Sequence, residues 1–377
     1  MESAQYTVEL SQPPVGLARH PGQDPHHWWV MTKGLSTPDG DGYSFYSAMN
    51  SFTEMFLTPY LADGKHFVSD ISNAIAVFGP ELKADVRVNF PVLLRARPKR
   101  SVAAGELVVS DDIADVTDMK VQGIEIPDDF GVMFFFHVHW RQVLFLDLEP
   151  LSPGNPPRQL TLEKVLGKIW ARLSYPDVFK LTSQDFASLA DIGWFPFVSV
   201  PQSVFAQLVW CIKNQVDPKH AVAEILSCMD DAVFARMKER VEKNELLKAE
   251  VEFFARALDY YRKGDFIGSV SIIVPRVEGV MRRLFVSRTE NPSHKTMPEV
   301  LLEHVSKKYP HSNLMFPAEF RDYLKRFYFR NFEAQPDYKV PYVSRHTQGH
   351  GVSDGASYTQ ETALIYLLVF DQIAWYT

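Results

Sequence analysis

The sequence has little of three things that mark large classes of proteins: cysteine, long apolar runs and an excess of basic charge. Its 377 residues include 2 cysteines, Cys211 and Cys228, which favours buried free thiols in a reducing cytoplasm over a disulfide framework. No apolar run approaches the roughly 20 residues that a membrane span needs. Residues 1–10 lack the basic and apolar regions of a secretion signal. These absences predict a cytoplasmic protein with no membrane partner.

The net charge of -7 argues against a protein coated with basic side chains, but the charge is unevenly distributed. Residues 251–350 carry 16 Lys and Arg against 11 Asp and Glu, whereas the remainder carries 23 against 35. Basic charge is therefore concentrated where a phosphate-binding surface would need it. Solvated helix faces produce the same excess, so the charge alone does not identify a site.

The pattern of apolar residues along the sequence changes near residue 152. Residues 40–150 resemble strands, as in the alternating segment 86–97 and in the Phe-rich segments 133–140 and 143–148. The Pro- and Gly-rich segment 152–157 is a strong breaker. We therefore predict an α+β protein with a β-rich domain over 1–152, a helical connector over 153–240 and a helical bundle over 241–377.

Apolar residues after the breaker recur at the spacing of amphipathic helices. Asp265 is placed to cap a helix that begins at Phe266, and Lys263-Gly264 is a good stop for the helix before it. The predicted helices are 160–173, two beginning near Ser203 and Pro218, and then 231–262, 266–285, 297–308, 317–331 and 358–376.

Arg345 and His350 are the candidate catalytic pair. An arginine supplies a permanent fork-shaped cation for phosphate oxygens, and a histidine supplies a proton donor and acceptor that titrates near neutral pH. Cleavage of RNA through its 2′-hydroxyl needs these two functions and no metal. The spacing itself is unspecific, because Arg19 and His26, and Arg288 and His294, are similarly spaced.

The surroundings of this pair are more specific. The segment Arg345-His346-Thr347-Gln348-Gly349-His350-Gly351 precedes a final apolar helix that contains Leu367-Leu368-Val369-Phe370-Asp371. This arrangement resembles the signature of the HEPN superfamily. Upstream, residues 260–266 and 275–279 are similar to the first two helices of HEPN proteins, and residues 193–197 to the segment before the bundle.

The resemblance implies a C-terminal four-helix bundle that acts as a metal-independent ribonuclease, without a cofactor, on RNA. It implies a homodimer in which the motifs of two protomers face each other, and a toxin or antiviral (abortive-infection) context. Arg345 would stabilise the phosphate, His350 would act as general acid or base, and His346 would orient the motif or assist.

Other residues are candidates for supporting roles. Glu278 is expected to pair with Arg282 and is a candidate to position Arg345. Arg321, Lys325 and Arg326 are candidates to bind the RNA backbone, with a simple solvated helix face as the alternative. The N-terminal domain is expected to sense a trigger or to bind a regulatory partner that restrains the nuclease.

Two alternatives to the ribonuclease remain at this point. The first is a catalytically inactive HEPN module that only binds or dimerises. The second is a metal-dependent N-terminal enzyme that uses His137 and His139 on one strand face, near Asp147 and Glu149. A structural sheet surface is the ordinary explanation of those histidines. The pair His26-His27 with Trp28-Trp29 is expected to anchor an N-terminal arm, with base stacking as the alternative.

Overall fold

The computed structural model describes residues 2–14, 16–19, 29–40, 42–62, 64–79, 81–152, 154–289, 312–333 and 340–377. The chain divides into two compact units, of which the first comprises residues 1–95 and 118–174 and the second residues 96–117 and 175–377. The first unit is built on an antiparallel sheet and the second is mainly helical. The predicted α+β class is confirmed.

The first unit contains a six-stranded antiparallel sheet with the strand order β1-β6-β5-β9-β10-β4. Two further pairs of strands, β2 with β3 and β7 with β8, form two-stranded ribbons outside this sheet, and β7 and β8 include residues of the range 96–117, which belongs to the second unit. The strands are β1 Ala4–Glu9, β2 Leu17–Arg19, β3 Trp29–Met31, β4 Lys33–Ser36, β5 Asn73–Phe78, β6 Lys83–Val88, β7 Val92–Pro98, β8 Ile113–Val121, β9 Gly131–Val138 and β10 Arg141–Asp147.

Side chains of the sheet alternate between two apolar layers, because successive residues of a strand point to opposite faces. Phe135 packs in the layer that includes Phe45 and Phe52 of α1 (Gly42–Phe52). Phe134 and Phe136 pack in the other layer, with residues of α3 (Leu162–Ser174). Helices therefore cover both faces of the sheet, and the prediction that these phenylalanines form the core is confirmed.

The strand prediction for residues 40–150 is wrong at its start. Helix α1 is followed by a π-helical turn, Thr53–Leu57, and by α2 (Thr58–Leu61). The buried residues of α1 are Phe45, Ala48, Met49 and Phe52, whose spacing of three and four is helical. The aromatic residues of α1, which also suit strands, obscured this periodicity.

The second unit is built from ten helices among the residues that the structure describes. Each helix is preceded or followed by short turns, and α10 continues through an internal proline, Pro275. The helices are α4 Pro176–Phe179, α5 Ser183–Asp191, α6 Gln202–Lys213, α7 Lys219–Cys228, α8 Asp231–Lys243, α9 Val251–Arg262, α10 Phe266–Thr289, α11 Pro317–Tyr323, α12 Arg345–Gly349 and α13 Gln360–Tyr376.

One apolar core joins the helices of the second unit. Helix α9 packs against α8, α10 and α13, and α13 also packs against α8 and α10 and is buried over most of its length. The same core contains Phe195, Phe205 and Ile225, which belong to the predicted connector. The compact units therefore do not follow the predicted boundaries at residues 152 and 240. Helix α3 packs on the sheet, while residues 175–240 pack with the bundle.

Several predicted helices are confirmed, and one is wrong as a single element. The Asp265 carboxylate accepts the Gly268 N–H at 2.8 Å, as expected of an N-terminal cap. The predicted helix 231–262 is instead divided at Asn244, whose side chain accepts the Leu246 N–H at 3.0 Å and starts a 3₁₀ turn. Residues 297–308 and 26–28 lie outside the described residues.

The two cysteines are free, and Cys211 is buried while Cys228 is only partly so. The prediction of buried thiols therefore holds for Cys211 alone. Among the described helices, none combines the length and apolar character that crossing a membrane would require.

Candidate active site

The segment that carries Arg345 and His350 is closed into a loop by backbone hydrogen bonds at its ends. The Val340 N–H donates to the Val352 carbonyl oxygen at 2.8 Å, and the Asp354 N–H donates to the Val340 carbonyl oxygen at 2.8 Å. Helix α12 lies inside this loop. Backbone hydrogen bonds at the ends of the loop, rather than a long helix, therefore hold the segment from Arg345 to His350 in place.

Ser344 and Thr347 cap α12 reciprocally. The Ser344 Oγ accepts the Thr347 N–H at 3.2 Å, and the Thr347 Oγ1 accepts the Ser344 N–H at 2.8 Å. Both residues are fully buried, and the Ser344 hydroxyl also donates to the Arg330 carbonyl oxygen at 2.8 Å. This capping box fixes the direction in which the helix starts, and Arg345 is its first residue.

Arg345 is held by Glu278 of α10. The Arg345 Nε donates to Glu278 Oε2 at 2.6 Å, and the Arg282 Nη2 donates to Glu278 Oε1 at 2.6 Å. The Arg345 side chain is 40% exposed, against 13% for Glu278. The remaining guanidinium nitrogens of Arg345 have no hydrogen-bond partner among the described residues. They are therefore open to a ligand with acceptor oxygens.

The two arginines determine the charge state of Glu278. Burial acts to raise the pKa of the Glu278 carboxyl, but hydrogen bonds from Arg282 and Arg345 outweigh it and hold the pKa below its usual range. Glu278 is therefore a carboxylate at neutral pH. The structure brings it to both Arg282 and Arg345, the two contacts considered for it from the sequence.

Tyr328 contacts the backbone of α10 at Glu278. Its buried hydroxyl donates to the Val274 carbonyl oxygen at 2.8 Å and accepts the Glu278 N–H at 3.2 Å. These two backbone groups would bond to each other in a regular α-helix, and the hydroxyl lies between them in the turn that contains Pro275. The hydroxyl thus bridges one turn of α10 at Glu278 and satisfies both backbone groups there. No sequence motif pointed to Tyr328.

The two histidines of the motif differ in exposure. His350 is exposed at the end of α12, with its ring centroid 5.6 Å from that of Phe332. His346 is half-buried near Phe329, and its Nδ1 atom is buried with no hydrogen-bond partner among the described residues. His350 is therefore accessible to a substrate, while His346 is the partly enclosed residue.

Helical geometry separates Arg345 from His350. Residues five positions apart in an α-helix lie about 140° apart around the axis and about 7.5 Å apart along it. His346 and His350, four positions apart, share a face instead. Convergence of Arg345 and His350 on one phosphate, as expected from the sequence, therefore depends on side-chain reach or on a second copy of the motif.

The three basic residues proposed to bind RNA are not equivalent. Arg326 donates from Nε and Nη2 to the two carboxylate oxygens of Asp191, at 2.5 and 2.6 Å. Arg321 contacts the neighbouring Asp322 at 3.3 Å. Lys325 is exposed and has no ion pair among the described residues. Lys325 is thus the one of the three whose charge is most available.

His137 and His139 do not share a strand face, contrary to the expectation from the sequence. His137 lies on β9, whereas His139 lies in the turn to β10 with a φ of 54°. The His139 carbonyl oxygen lies 2.8 Å from the His137 Nδ1. In the described part of the chain, no three His, Cys, Asp or Glu side chains are grouped to hold a metal ion. The tight turn, a feature of local backbone geometry, separates the two side chains that the sequence pattern placed together.

Comparison with protein-family models, with curated proteins and with solved structures finds no match for this chain. The choice of function therefore depends on the residues around Arg345 and on their contacts.

Proposed function

We propose that the chain is a metal-independent endoribonuclease of the HEPN type, in which Arg345 binds the scissile phosphate and His350 transfers the proton. One observation carries the proposal. Glu278 holds Arg345 through its Nε and leaves the other guanidinium nitrogens open, on the same short helix that ends at the exposed His350. A half-exposed arginine fixed in this way is suited to phosphate oxygens.

The reaction needs a base, an acid and a cation. The base removes the proton of the 2′-hydroxyl, and the 2′-oxygen attacks phosphorus. The bond to the 5′-oxygen then breaks, and the acid protonates that oxygen. His350 fits either proton-transfer role, and Arg345 stabilises the charge that develops on the phosphate oxygens. His346 supports the motif from its half-buried position.

A homodimer would supply both proton-transfer roles. A single His350 provides one titratable ring per chain, and the helical geometry directs Arg345 and His350 to different sides of α12. Two motifs facing each other would present two copies of Arg345 and two of His350 to one phosphate. The packing of α8, α9, α10 and α13 is compatible with the four helices that the HEPN resemblance implies.

The wider biological role follows from the same resemblance. We propose a toxin or antiviral effector that acts on cellular RNA, with the sheet-containing first unit receiving a trigger or a regulatory partner. The basic balance of residues 251–350 supports RNA as the substrate.

The decisive experiment measures RNA integrity with the purified full chain in EDTA. We expect cleavage by the wild type, and a loss of about 100-fold or more in Arg345→Ala and His350→Ala. Arg256→Ala and His220→Ala are matched controls, because these side chains are 65% and 86% exposed outside the motif, and they should cleave normally.

One observation favours a second candidate, a catalytically inactive HEPN module that binds a partner. The strongest contact of Arg345 is internal, with Glu278, as in an arginine whose role is structural. A well-folded dimer that leaves RNA intact in EDTA and with added divalent ions would support this module and reject the nuclease.

A further inference from the structure

A cavity of 410 Å³ lies beside the proposed catalytic segment. Its wall includes Tyr342, which precedes Arg345 by three residues, and Asp354 and Thr359, which follow His350. Three residues of chain span at most about 11 Å, so Tyr342 and the catalytic arginine are near neighbours. The cavity is large enough for one nucleoside.

One side of the cavity is a flat stack of a ring and a guanidinium. The Arg330 guanidinium carbon lies 3.9 Å from the centroid of the Tyr342 ring. The Tyr342 hydroxyl donates to the Asn331 carbonyl oxygen at 2.8 Å, which fixes the ring. Arg330 is exposed, so its outer face is available to another flat group. Unpaired bases of RNA stack on such aromatic and guanidinium planes.

A second side of the cavity offers a hydrogen-bond acceptor. Glu361, in the first turn of α13, accepts the Trp194 Nε1–H at 2.7 Å through Oε1. Its other oxygen, Oε2, has no hydrogen-bond partner among the described residues. Burial raises the pKa of Glu361, an effect that the Trp194 hydrogen bond partly offsets. A partly desolvated carboxylate of this kind gains strongly from a ligand that donates to it.

Trp194 is held in place by a tight turn at Gly193. The φ of Gly193 is +87°, and a Cβ atom there would lie 2.9 Å from Phe327 and 3.0 Å from Ile365. Glycine is therefore required where the backbone passes between these side chains. The segment 193–197 thereby anchors the carboxylate that faces the cavity.

The other two carboxylates that line the cavity, Asp191 and Asp354, have hydrogen-bond partners of their own. Asp191 binds Arg326 through both oxygens, and Asp354 accepts the Ala356 N–H at 3.1 Å. Within the described residues, no acidic trio here is arranged for a metal ion. Asp354 keeps one oxygen without a partner among the described residues, as Glu361 does, but its hydrogen bond is to its own loop, whereas Glu361 is fixed by the distant Trp194. The fixed surface for a ligand is therefore the Arg330 plane and the Glu361 carboxylate.

We infer that this cavity binds one unpaired base of the RNA next to the scissile phosphate and that it prefers guanine. The base would stack on Arg330 and donate from its N1–H and its 2-amino group to Glu361. Uracil presents a single N–H between two carbonyl oxygens, which the carboxylate would repel. The inference rests on the proposed function, since it makes the cavity a specificity site for the same substrate.

The test uses binding rather than cleavage. Fluorescein-labelled heptanucleotides that are 2′-O-methylated throughout lack the attacking hydroxyl, so they report the cavity without the chemistry. We expect the full chain to bind a heptauridylate with one central guanine about tenfold more tightly than heptauridylate itself in fluorescence anisotropy at fixed salt. A central adenine should give no such gain.

Three variants decide whether the cavity is responsible. In Glu361→Gln, which can still accept from Trp194, and in Arg330→Ala, the guanine preference should disappear. Glu252→Gln, a 77% exposed carboxylate on α9, is the matched control and should retain it. Equal thermal midpoints would show that each variant is folded.

The outcomes separate this inference from the proposed function. Equal affinity of the wild type for the two oligonucleotides, no binding at all, or a preference that persists in Glu361→Gln would each overturn the inference, even if the chain cleaves RNA. A preference that depends on Glu361 would uphold it, even if His350→Ala and the wild type are equally inactive.

Discussion

Two arginine–carboxylate pairs, one in each unit, have the same central contact and different surroundings. In the first unit the Arg158 Nε donates to Asp147 Oδ2 at 2.6 Å, and both side chains are 1% exposed. In the second unit the Arg345 Nε donates to Glu278 Oε2 at 2.6 Å, with exposures of 40% and 13%. The distance alone therefore does not distinguish them.

The remaining nitrogens of each arginine make the difference. Arg158 donates its other groups to the carbonyl oxygens of Pro127 and Phe130, which ties the segment after β10 to the connection between β8 and β9. Arg345 leaves its terminal nitrogens without such partners among the described residues. A buried arginine with a partner for each nitrogen has no donor left for a ligand, whereas an arginine held at one edge can bind one.

The largest expected effect is on the buried pair. Asp147→Asn removes the charge opposite Arg158, and we expect it to destabilise the first unit by about 3–5 kcal/mol, because a buried guanidinium is left unpaired. Urea denaturation followed by hydrogen exchange of the β9 and β10 peptides measures the loss. The double variant Asp147→Leu/Arg158→Met should recover much of it. Stability equal to the wild type in Asp147→Asn would show that the pair contributes little.

The corresponding change at the half-exposed pair should affect activity more than stability. In Glu278→Gln, Arg345 loses the carboxylate that positions it, and we expect kcat for RNA cleavage to fall about tenfold to a hundredfold with KM little changed. Glu278→Asp should restore part of the rate. A large fall in stability with an unchanged rate per folded molecule would make Glu278 structural, like Asp147.

Acid titration should show the charge state of Glu278. Its pKa in the folded chain lies below the usual range despite burial, because Arg282 and Arg345 donate to it, while the unfolded chain has the ordinary value. The stability from these hydrogen bonds is therefore present above the ordinary pKa of about 4.3 and is lost as the pH falls through the lower folded value. The difference in urea midpoint between the wild type and Glu278→Gln should shrink over that range. A constant difference would contradict the shift.

The smallest expected effect concerns two neighbouring basic residues at the surface, Lys325 and Arg326. Lys325 has no ion pair among the described residues, whereas Arg326 is occupied by Asp191. Lys325→Ala should weaken RNA binding a little and reduce the slope of log affinity against log salt by about 1. Arg326→Ala should change the slope less. A larger effect of Arg326→Ala would mean that Asp191 releases it to bind RNA.

Local signals predicted much of the fold. The periodicity of apolar residues located α3, α6 and α7, and Asp265 marked the start of α10. The run Phe134–Phe136 is buried as expected, one ring on one face of the sheet and two on the other. These features depend on neighbours within a few positions, so the sequence contains the information directly.

The features that the sequence did not predict have two causes. Some residues suit more than one kind of structure, and some contacts join segments far apart in the chain. The helix α1 was missed because its aromatic residues also suit strands, and the division of 231–262 depends on the Asn244 cap. The contact of Glu278 with Arg345 joins residues 67 positions apart, and that of Tyr328 with Glu278 joins residues 50 positions apart. Such contacts are decided by how helices pack, which no single stretch of sequence records.

By itself the sequence determined the α+β class, most helix starts and the residue types of the candidate motif, because period and capping are local properties. Only the tertiary structure decided that Arg158 has a partner for each nitrogen and that Arg345 keeps nitrogens open to a ligand. Burial and hydrogen-bond partners come from segments far apart along the chain. The same packing formed the cavity beside Tyr342. The residue types of Arg345 and His350 suggested phosphate binding and proton transfer, and the fold determined which residues surround them.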